Sequence, residues 1–322
     1  MKYRRLGATG LQVSEIGFGA WGIGGVANGA IGYGPTDDEE SKRALRRAYD
    51  LGVNFYDTSG LYGYGHSEHL IGEVLKDVRD KVIITTKVGF LDAAGSQDFS
   101  PKHISQSLEA SLKRLQTDYV DLYQLHSPSI DAVGQDDGIL SALRSLEQKG
   151  SVRAIGISVR SPDDGLIAIN RFGFSCIQIN FNLVDQRALS DGLFDLCGQR
   201  NVGVIVRTPL CFGLLTGRYS SVSKFGPGDH RNSWSSAQMA RWANAGPLFA
   251  AALTEKEGQN PAQLALRFCL SYPTVSTVIP GMLTKEEVEE NVLASQMGPF
   301  SEQELRKLEQ IYQEKTFFVG KD

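Results

Sequence analysis

The sequence predicts a single (β/α)8 TIM barrel with an N-terminal hairpin and long loops on its C-terminal face. Three observations carry that expectation. Strand-like runs alternate with amphipathic helical patterns along almost the whole chain. Eight such units follow one another with no linker-like segment to divide them, so residues 1–322 read as one domain. Polar residues also close successive runs: Asp57, with Tyr62 soon after, then Lys87, then His126. Strands of a parallel array all point the same way, so their carboxyl ends share one face, and barrels of this kind carry their sites there. An open doubly wound sheet is the alternative and would rarely hold so many uninterrupted units.

The elements are expected in this order. After the hairpin, residues 13–18 read as the first strand. Thr36 caps an amphipathic helix ending at Leu51, with Asp37, Asp38 and Glu39 suited to its positive N-terminus. Strand 53–57, helix 67–75 and strand 82–87 follow. Ser100 and Pro101 are an N-cap and first-position pair opening a helix to Leu115. Next come strand 119–126 and helix 138–149, which Gly150 ends. The second half repeats the rhythm: strand 152–157, a helix from Ser161, strand 176–180, a helix to Gln199 and strand 202–207. Asn260 and Pro261 open another capped helix, strand 275–279 follows, and helices start at Thr284 and Ser301.

Two long loops interrupt this rhythm, residues 19–35, rich in glycine, and 209–247, which holds Trp234, Trp242, His230, Arg218 and Arg231. Both follow strands, so both are expected at the same mouth as the four polar residues. Loops of such length in a compact barrel usually serve function, and tryptophans argue against disorder. Gly17, Gly19 and Gly22 match G-x-G-x-x-G, but more glycine follows where a dinucleotide fingerprint would open a helix. Those glycines are expected to let backbone approach a ligand.

Composition narrows the function classes. Hydrophobic residues are 41% and charged residues 22% of the chain, a balance that marks a globular protein. A net charge of -4 supplies no basic field for nucleic acid. No apolar run approaches the roughly 20 residues that span a bilayer, and no leader-like apolar segment follows the N-terminal charges. A cytoplasmic protein with no membrane partner is expected. The 4 cysteines lack a C-x-x-C pair and read as inert thiols, Cys211 being the one in a loop that exposes it. His66 and His69 lie i,i+3 without companion ligands, so no metal is expected.

The chemistry lies in Asp57, Tyr62, Lys87 and His126. A tyrosine exchanges protons poorly at neutral pH, but a lysine ammonium beside it favours the phenolate and is expected to lower its pKa. Such a phenol protonates a carbonyl oxygen as that oxygen becomes an alkoxide, and takes the proton back in reverse. Histidine at the same mouth orients that oxygen by a hydrogen bond. With no nucleophile or metal set alongside, the chemistry that fits is hydride transfer from a bound cofactor.

At these residues the chain resembles the aldo-keto reductase superfamily, in its bacterial branch of sugar- and broad-range aldehyde-reducing members. The likeness covers residues 3–294 and rests on the stretches 52–62, 85–87, 118–126 and 156–158, with Ser67 and Glu68. The resemblance implies NAD(P)(H)-dependent reduction of an aldehyde or ketone, with Tyr62 as general acid and Asp57, Lys87 and His126 completing a tetrad. It equally accommodates NAD-linked oxidation of a sugar or other alcohol, or a non-catalytic cofactor-sensing subunit. It also implies that Trp21 and Asp57 border the cofactor and that Ser158 and Gln178 hold the nicotinamide carboxamide, with Arg207 under the ring. Pro209, Leu210, Gly213, Leu215, Gly217 and Arg218 then lie along the pyrophosphate, and Gly281, Thr284, Lys285, Glu287 and Asn291 around the adenosine phosphate.

Four positions depart from the common pattern. Val159 replaces a frequent asparagine, and Arg207 stands where many members carry an aromatic. Leu283 replaces a basic residue, and Glu287 a glutamine, in the segment that meets the 2'-phosphate of NADP. Lys285 and Arg218 are the basic residues near that segment. NADP(H) is expected narrowly ahead of NAD(H). The sequence leaves the oligomeric state open.

Overall fold

The computed structural model describes residues 1–135, 137–253 and 259–320. Short β-branched and aromatic runs form ten strands: β1 Tyr3–Arg5, β2 Gln12–Ser14, β3 Phe18–Gly19, β4 Phe55–Asp57, β5 Ile83–Val88, β6 Val120–His126, β7 Val152–Ser158, β8 Cys176–Asn180, β9 Gly203–Arg207 and β10 Val275–Val278. β1 and β2 pair antiparallel as a hairpin. β3 to β10 form one parallel sheet in sequence order. Parallel bridges from Ile16 to Val278 and from Gly19 to Gly281 join its first and last strands, closing the barrel. At that seam the chains touch: a Cβ on Gly19 would lie 2.6 Å from the Ile279 carbonyl oxygen.

The expected strand 13–18 is divided. Val13 and Ser14 pair with Arg4 and Tyr3 in the hairpin, and the barrel strand proper is Phe18–Gly19. The cause is burial. Leu6 and Val13 join Phe55, Leu122, Cys176 and Ile205 in the apolar cluster inside the barrel, so the hairpin plugs its lower end before the chain enters the wall. A second, larger cluster lies between the sheet and the surrounding helices.

Helices follow their caps. Ser100, Ser161, Thr284 and Ser301 each accept a backbone N–H from three residues on, and Asn260 and Ser301 complete capping boxes. Such caps contribute about 1 kcal/mol each. Asp37, not Thr36, caps Asp38–Asp50, because its carboxylate takes the Glu40 N–H at 2.8 Å. Among the described helices none is long and apolar enough to cross a membrane.

The long loops are ordered by mutual contact. Gly32 bridges Asp229, and His230 N donates to the Gly32 carbonyl at 2.9 Å. Arg231, held by Asp229 at 2.6 and 2.9 Å, lies over the rings of Phe225, Tyr219 and Tyr33. Cys211 is 2% exposed rather than open to solvent, and burial pushes its thiol far above the ordinary value. All four cysteines are free and buried.

Candidate active site

Side chains alternate along a strand, so one parity faces the barrel axis. Phe55 and Leu122 of the inner cluster set that parity, which Asp57 and His126 share on the same strands. Lys87, Ser158, Gln178 and Arg207 sit at or near the carboxyl ends of β5, β7, β8 and β9. The barrel thus delivers distant residues to one floor.

There the Lys87 ammonium donates to Asp57 Oδ2 at 2.6 Å, to the Thr58 carbonyl at 2.9 Å and to the Tyr62 hydroxyl at 3.2 Å. Asp57 and Lys87 are each 2% exposed. Asp57 Oδ1 accepts from the Gln178 amide at 2.8 Å and weakly from Gln124 at 3.4 Å. Both carboxylate oxygens are therefore occupied, as a buried charge requires. The Tyr62 and His126 rings meet edge to face with centroids 5.9 Å apart. Phe90 packs against the imidazole at 4.8 Å.

Electrostatics divide the roles. Burial pulls the Lys87 pKa down, but Asp57 and Tyr62 favour the ammonium and the net shift is upward. Burial, then the charges of Lys87 and Arg207, push His126 well below the usual imidazole value, so it is neutral at pH 7. Ser59 Oγ accepts from Leu61 N and lies 3.2 Å from His126 Nδ1. Its proton is free for Nδ1, which leaves Nε2–H as the imidazole's donor. Tyr62 corrects the expectation from sequence: burial raises its pKa, and Lys87 only partly offsets this. The phenol is protonated at neutral pH and placed to donate.

Tyr62 lies beyond β4, where a Gly–Gly crossing holds its loop. Gly63 has φ +60°, and a Cβ there would stand 2.1 Å from the Gly24 carbonyl oxygen. A Cβ on Gly24 would stand 2.8 Å from Gly63 N. At Gly24, one of the glycines of the 19–35 loop expected to admit a ligand, and at Gly63, the missing side chain instead lets backbone approach backbone, while Gly19 does line the cavity above the floor.

Above the floor opens a cavity of about 570 Å³. Its wall includes Trp21, Asp57, Tyr62, His126, Ser158, Gln178, Arg207, Pro209, Leu210, Gly213, Arg218, Gly281, Glu287 and Asn291. Four of the expected cofactor residues are elsewhere. Leu215 is buried in the core, and Gly217 closes the turn Cys211–Thr216. Thr284 caps the helix Lys285–Val292, and Lys285 faces Glu289 at 3.8 Å. Arg218 reaches across to Glu287 and Glu290, each at 2.5 Å. Arg207 Nη2 donates to the Val159 carbonyl at 3.2 Å, and its buried Nε has no protein partner. This polar floor and the long wall above it, lined by Pro209, Leu210, Gly213 and Gly281 among others, leave room for a nicotinamide cofactor.

Sequence reasoning missed Gln124 and Ser59. Gln124 also donates to Thr85 Oγ1 at 2.8 Å, and its position two residues before His126 on β6 was the available signal. The long loops expected at the mouth supply an aromatic upper wall, where Trp21 packs on Tyr33 and His230, and Phe212 on Trp234; of these, sequence reasoning missed Tyr33 and Phe212.

Comparison with known proteins agrees with this fold. The chain is 32% identical over 301 residues to an L-galactose dehydrogenase of Arabidopsis thaliana, covering 91% of this chain and 88% of that protein. It is 30% identical over 337 residues to a probable voltage-gated potassium channel subunit beta of the same plant, covering 98% of each. Among solved structures it resembles the holo form of aldo-keto reductase AKR11C1 from Bacillus halodurans, with TM-score 0.78 and 30% identity over 97% of this chain and 96% of that one. The Aldo/keto reductase family model matches residues 15–313, and with the barrel and its floor of Asp57, Tyr62, Lys87 and His126 it makes this chain a member of the aldo/keto reductase family.

Proposed function

We propose that the protein reduces an aldehyde or ketone to the alcohol, with Tyr62 as the proton donor. The observation that carries this reading is the Lys87 ammonium, which grips Asp57 and reaches the Tyr62 hydroxyl at the floor of the cavity. A reduced nicotinamide, when bound, supplies the hydride for the carbonyl carbon. Ser158 and Arg207 at the floor, Pro209, Leu210, Gly213 and Gly281 along the wall, and Asn291 at the far end are the residues that would hold it.

The carbonyl oxygen accepts hydrogen bonds from Tyr62 and from His126 Nε2. As negative charge grows on that oxygen, the phenol proton moves to it and Lys87 stabilises the phenolate left behind. Neutral His126 orients the oxygen without competing for the proton. The raised Tyr62 pKa suits the reductive direction at neutral pH. Oxidation of an alcohol by the same groups needs the phenolate and is favoured at higher pH.

Charge at the far end of the cavity bears on the cofactor. Arg218 is matched by two carboxylates, and Lys285 lies off the wall. A further phosphate would meet net negative charge there, so we read NAD(H) as the better fit, against the narrow expectation of NADP(H). The test is nicotinamide absorbance with both cofactors against aldehydes, ketones, sugars and alcohols, in both directions. The likeness to a channel beta subunit supports a second reading, a cofactor-sensing protein; tight cofactor binding with no turnover across the panel would favour it.

A further inference from the structure

Tyr62 rides on a loop whose next three residues all have left-handed backbone: Gly63 at φ 60°, Tyr64 at 53° and Gly65 at 94°. A non-glycine residue in that region is strained and persists only where its surroundings over-determine it. Beneath the loop lies Arg114, in the last turn of the helix Pro101–Leu115. Its side chain fills the hollow that Gly65 leaves. A Cβ there would stand 2.5 Å from Arg114 Cδ and Nε, and one on Gly60 would stand 3.2 Å from Nη2. Arg114 Nε donates to Glu68 Oε2 at 2.6 Å, and Nη2 donates to Ser111 at 3.2 Å.

Glu68 is fully buried in the first turn of the helix His66–Leu75, directly after the Tyr62 loop. Its other oxygen accepts from Thr86 Oγ1 at 2.5 Å. Thr86 precedes Lys87 on β5, so it faces the helices where Lys87 faces the axis. One carboxylate therefore ties the strand that carries the ammonium to the helix that follows the phenol. Its guanidinium partner supports the loop between them.

We propose that Arg114 and Glu68 are positioning residues: together they hold residues 60–65 so that the Tyr62 hydroxyl stays within hydrogen-bonding reach of Lys87, and they act on the reaction only through Tyr62. The inference rests on Tyr62 being the proton donor.

The test compares Arg114→Met, Arg114→Lys, Glu68→Gln and Tyr62→Phe in the full-length protein. The readouts are carbonyl reduction, fluorescence titration with reduced nicotinamide cofactor, and thermal unfolding. Arg114→Met should lower kcat on the order of 100-fold, the cost of a misplacement near 1 Å. KM and cofactor Kd should stay within about threefold, because binding groups are untouched. The alkaline limb of the pH–rate profile should move upward as Tyr62 drifts from Lys87. Arg114→Lys, which keeps the charge but not the forked geometry, should recover part of the rate. Adding Arg114→Met to Tyr62→Phe should lower the residual rate no further.

A cross-link that is only structural lowers Tm and leaves kcat and the alkaline limb unchanged in folded protein; that result, or additive losses in the double variant, overturns the inference. Should Arg114→Met not fold, the near-isosteric Glu68→Gln carries the same test, with the same overturning result. Normal turnover by Tyr62→Phe overturns both the proton-donor reading and this inference. An inactive Tyr62→Phe beside an unperturbed Arg114→Met overturns the inference alone.

Discussion

Asp57 with Lys87 at the cavity floor, and Asp229 with Arg231 at its roof, are both buried ion pairs with a 2.6 Å contact, yet different forces hold them. The floor pair joins residues 30 apart in sequence through the adjacent parallel strands β4 and β5. Ladder hydrogen bonds and a packed barrel interior fix its geometry. The roof pair lies within one loop, where Tyr219 and Phe225 flank its guanidinium, and reaches the other loop through Tyr33. Its geometry depends on side chains that another sequence could replace without disturbing a strand. On the proposed function, the fold separates the charge pair that supports proton transfer, set by the sheet, from the loops that would set substrate choice.

The largest effect should come from the floor. Tyr62→Phe removes the donated proton and should lower kcat by roughly 10²- to 10⁴-fold, the usual contribution of a general acid. Cofactor affinity, measured by fluorescence titration, should change little. Substantial reductase activity in this variant would separate the floor from the chemistry and end the comparison. In the native protein the sign of the pH dependence follows from the raised Tyr62 pKa. Reduction should hold level through the neutral range and fall only on the alkaline side, as the phenol loses its proton.

Lys87→Met tests whether the floor is electrostatic as well as geometric. Losing the ammonium should cost on the order of 100-fold in kcat and move the alkaline limb to higher pH, since only the weaker field of Arg207 then offsets the burial of Tyr62. It also leaves the Asp57 carboxylate buried without its counter-ion, a loss of about 3–5 kcal/mol for pairs of this kind. Urea unfolding measures that part. An unmoved limb would show that Lys87 serves stability alone.

The roof should respond in the other parameter. Arg231→Met frees Asp229 and unfastens the two loops, so KM for the carbonyl should rise about tenfold, equivalent to roughly 1.4 kcal/mol, with kcat nearly unchanged. Steady-state kinetics on the best substrate of the panel decides it. A fall in kcat with constant KM would mean that the roof reaches into the chemistry.

The same division explains what the sequence could reveal. Asp57, Lys87 and His126 were legible because strand ends share a face, whereas Ser158, Gln178 and Arg207 were reached only through the family resemblance. Caps at Ser100 and Asn260 were legible because a short polar side chain ahead of a helix answers a local need. The division of residues 13–18 was not, since it depends on which distant residues fill the lower end of the barrel. Nor was the direction of the Tyr62 shift, where burial by Trp21 and the loops competes with Lys87. The commitment of Arg218 to Glu287 and Glu290, 69 and 72 residues away, likewise follows from how a loop folds back across the mouth.

That clasp supplies the smallest and sharpest test. Leu283→Arg adds a cation beside the two carboxylates, and Glu287→Gln removes one of them while freeing part of Arg218. Exposed charge pairs contribute about 0.2–1 kcal/mol, so each change should shift the ratio of kcat/KM for NADPH over NADH by roughly 1.4- to 5-fold toward NADPH. The shift should shrink at high salt, because these side chains are partly exposed and screened. Carbonyl specificity should stay as it was in Glu287→Gln, whose change is confined to the Arg218 clasp. An unchanged ratio in both variants would remove the clasp from cofactor choice. A changed carbonyl preference would show that floor, roof and far end are coupled, and the separation drawn between them would fail.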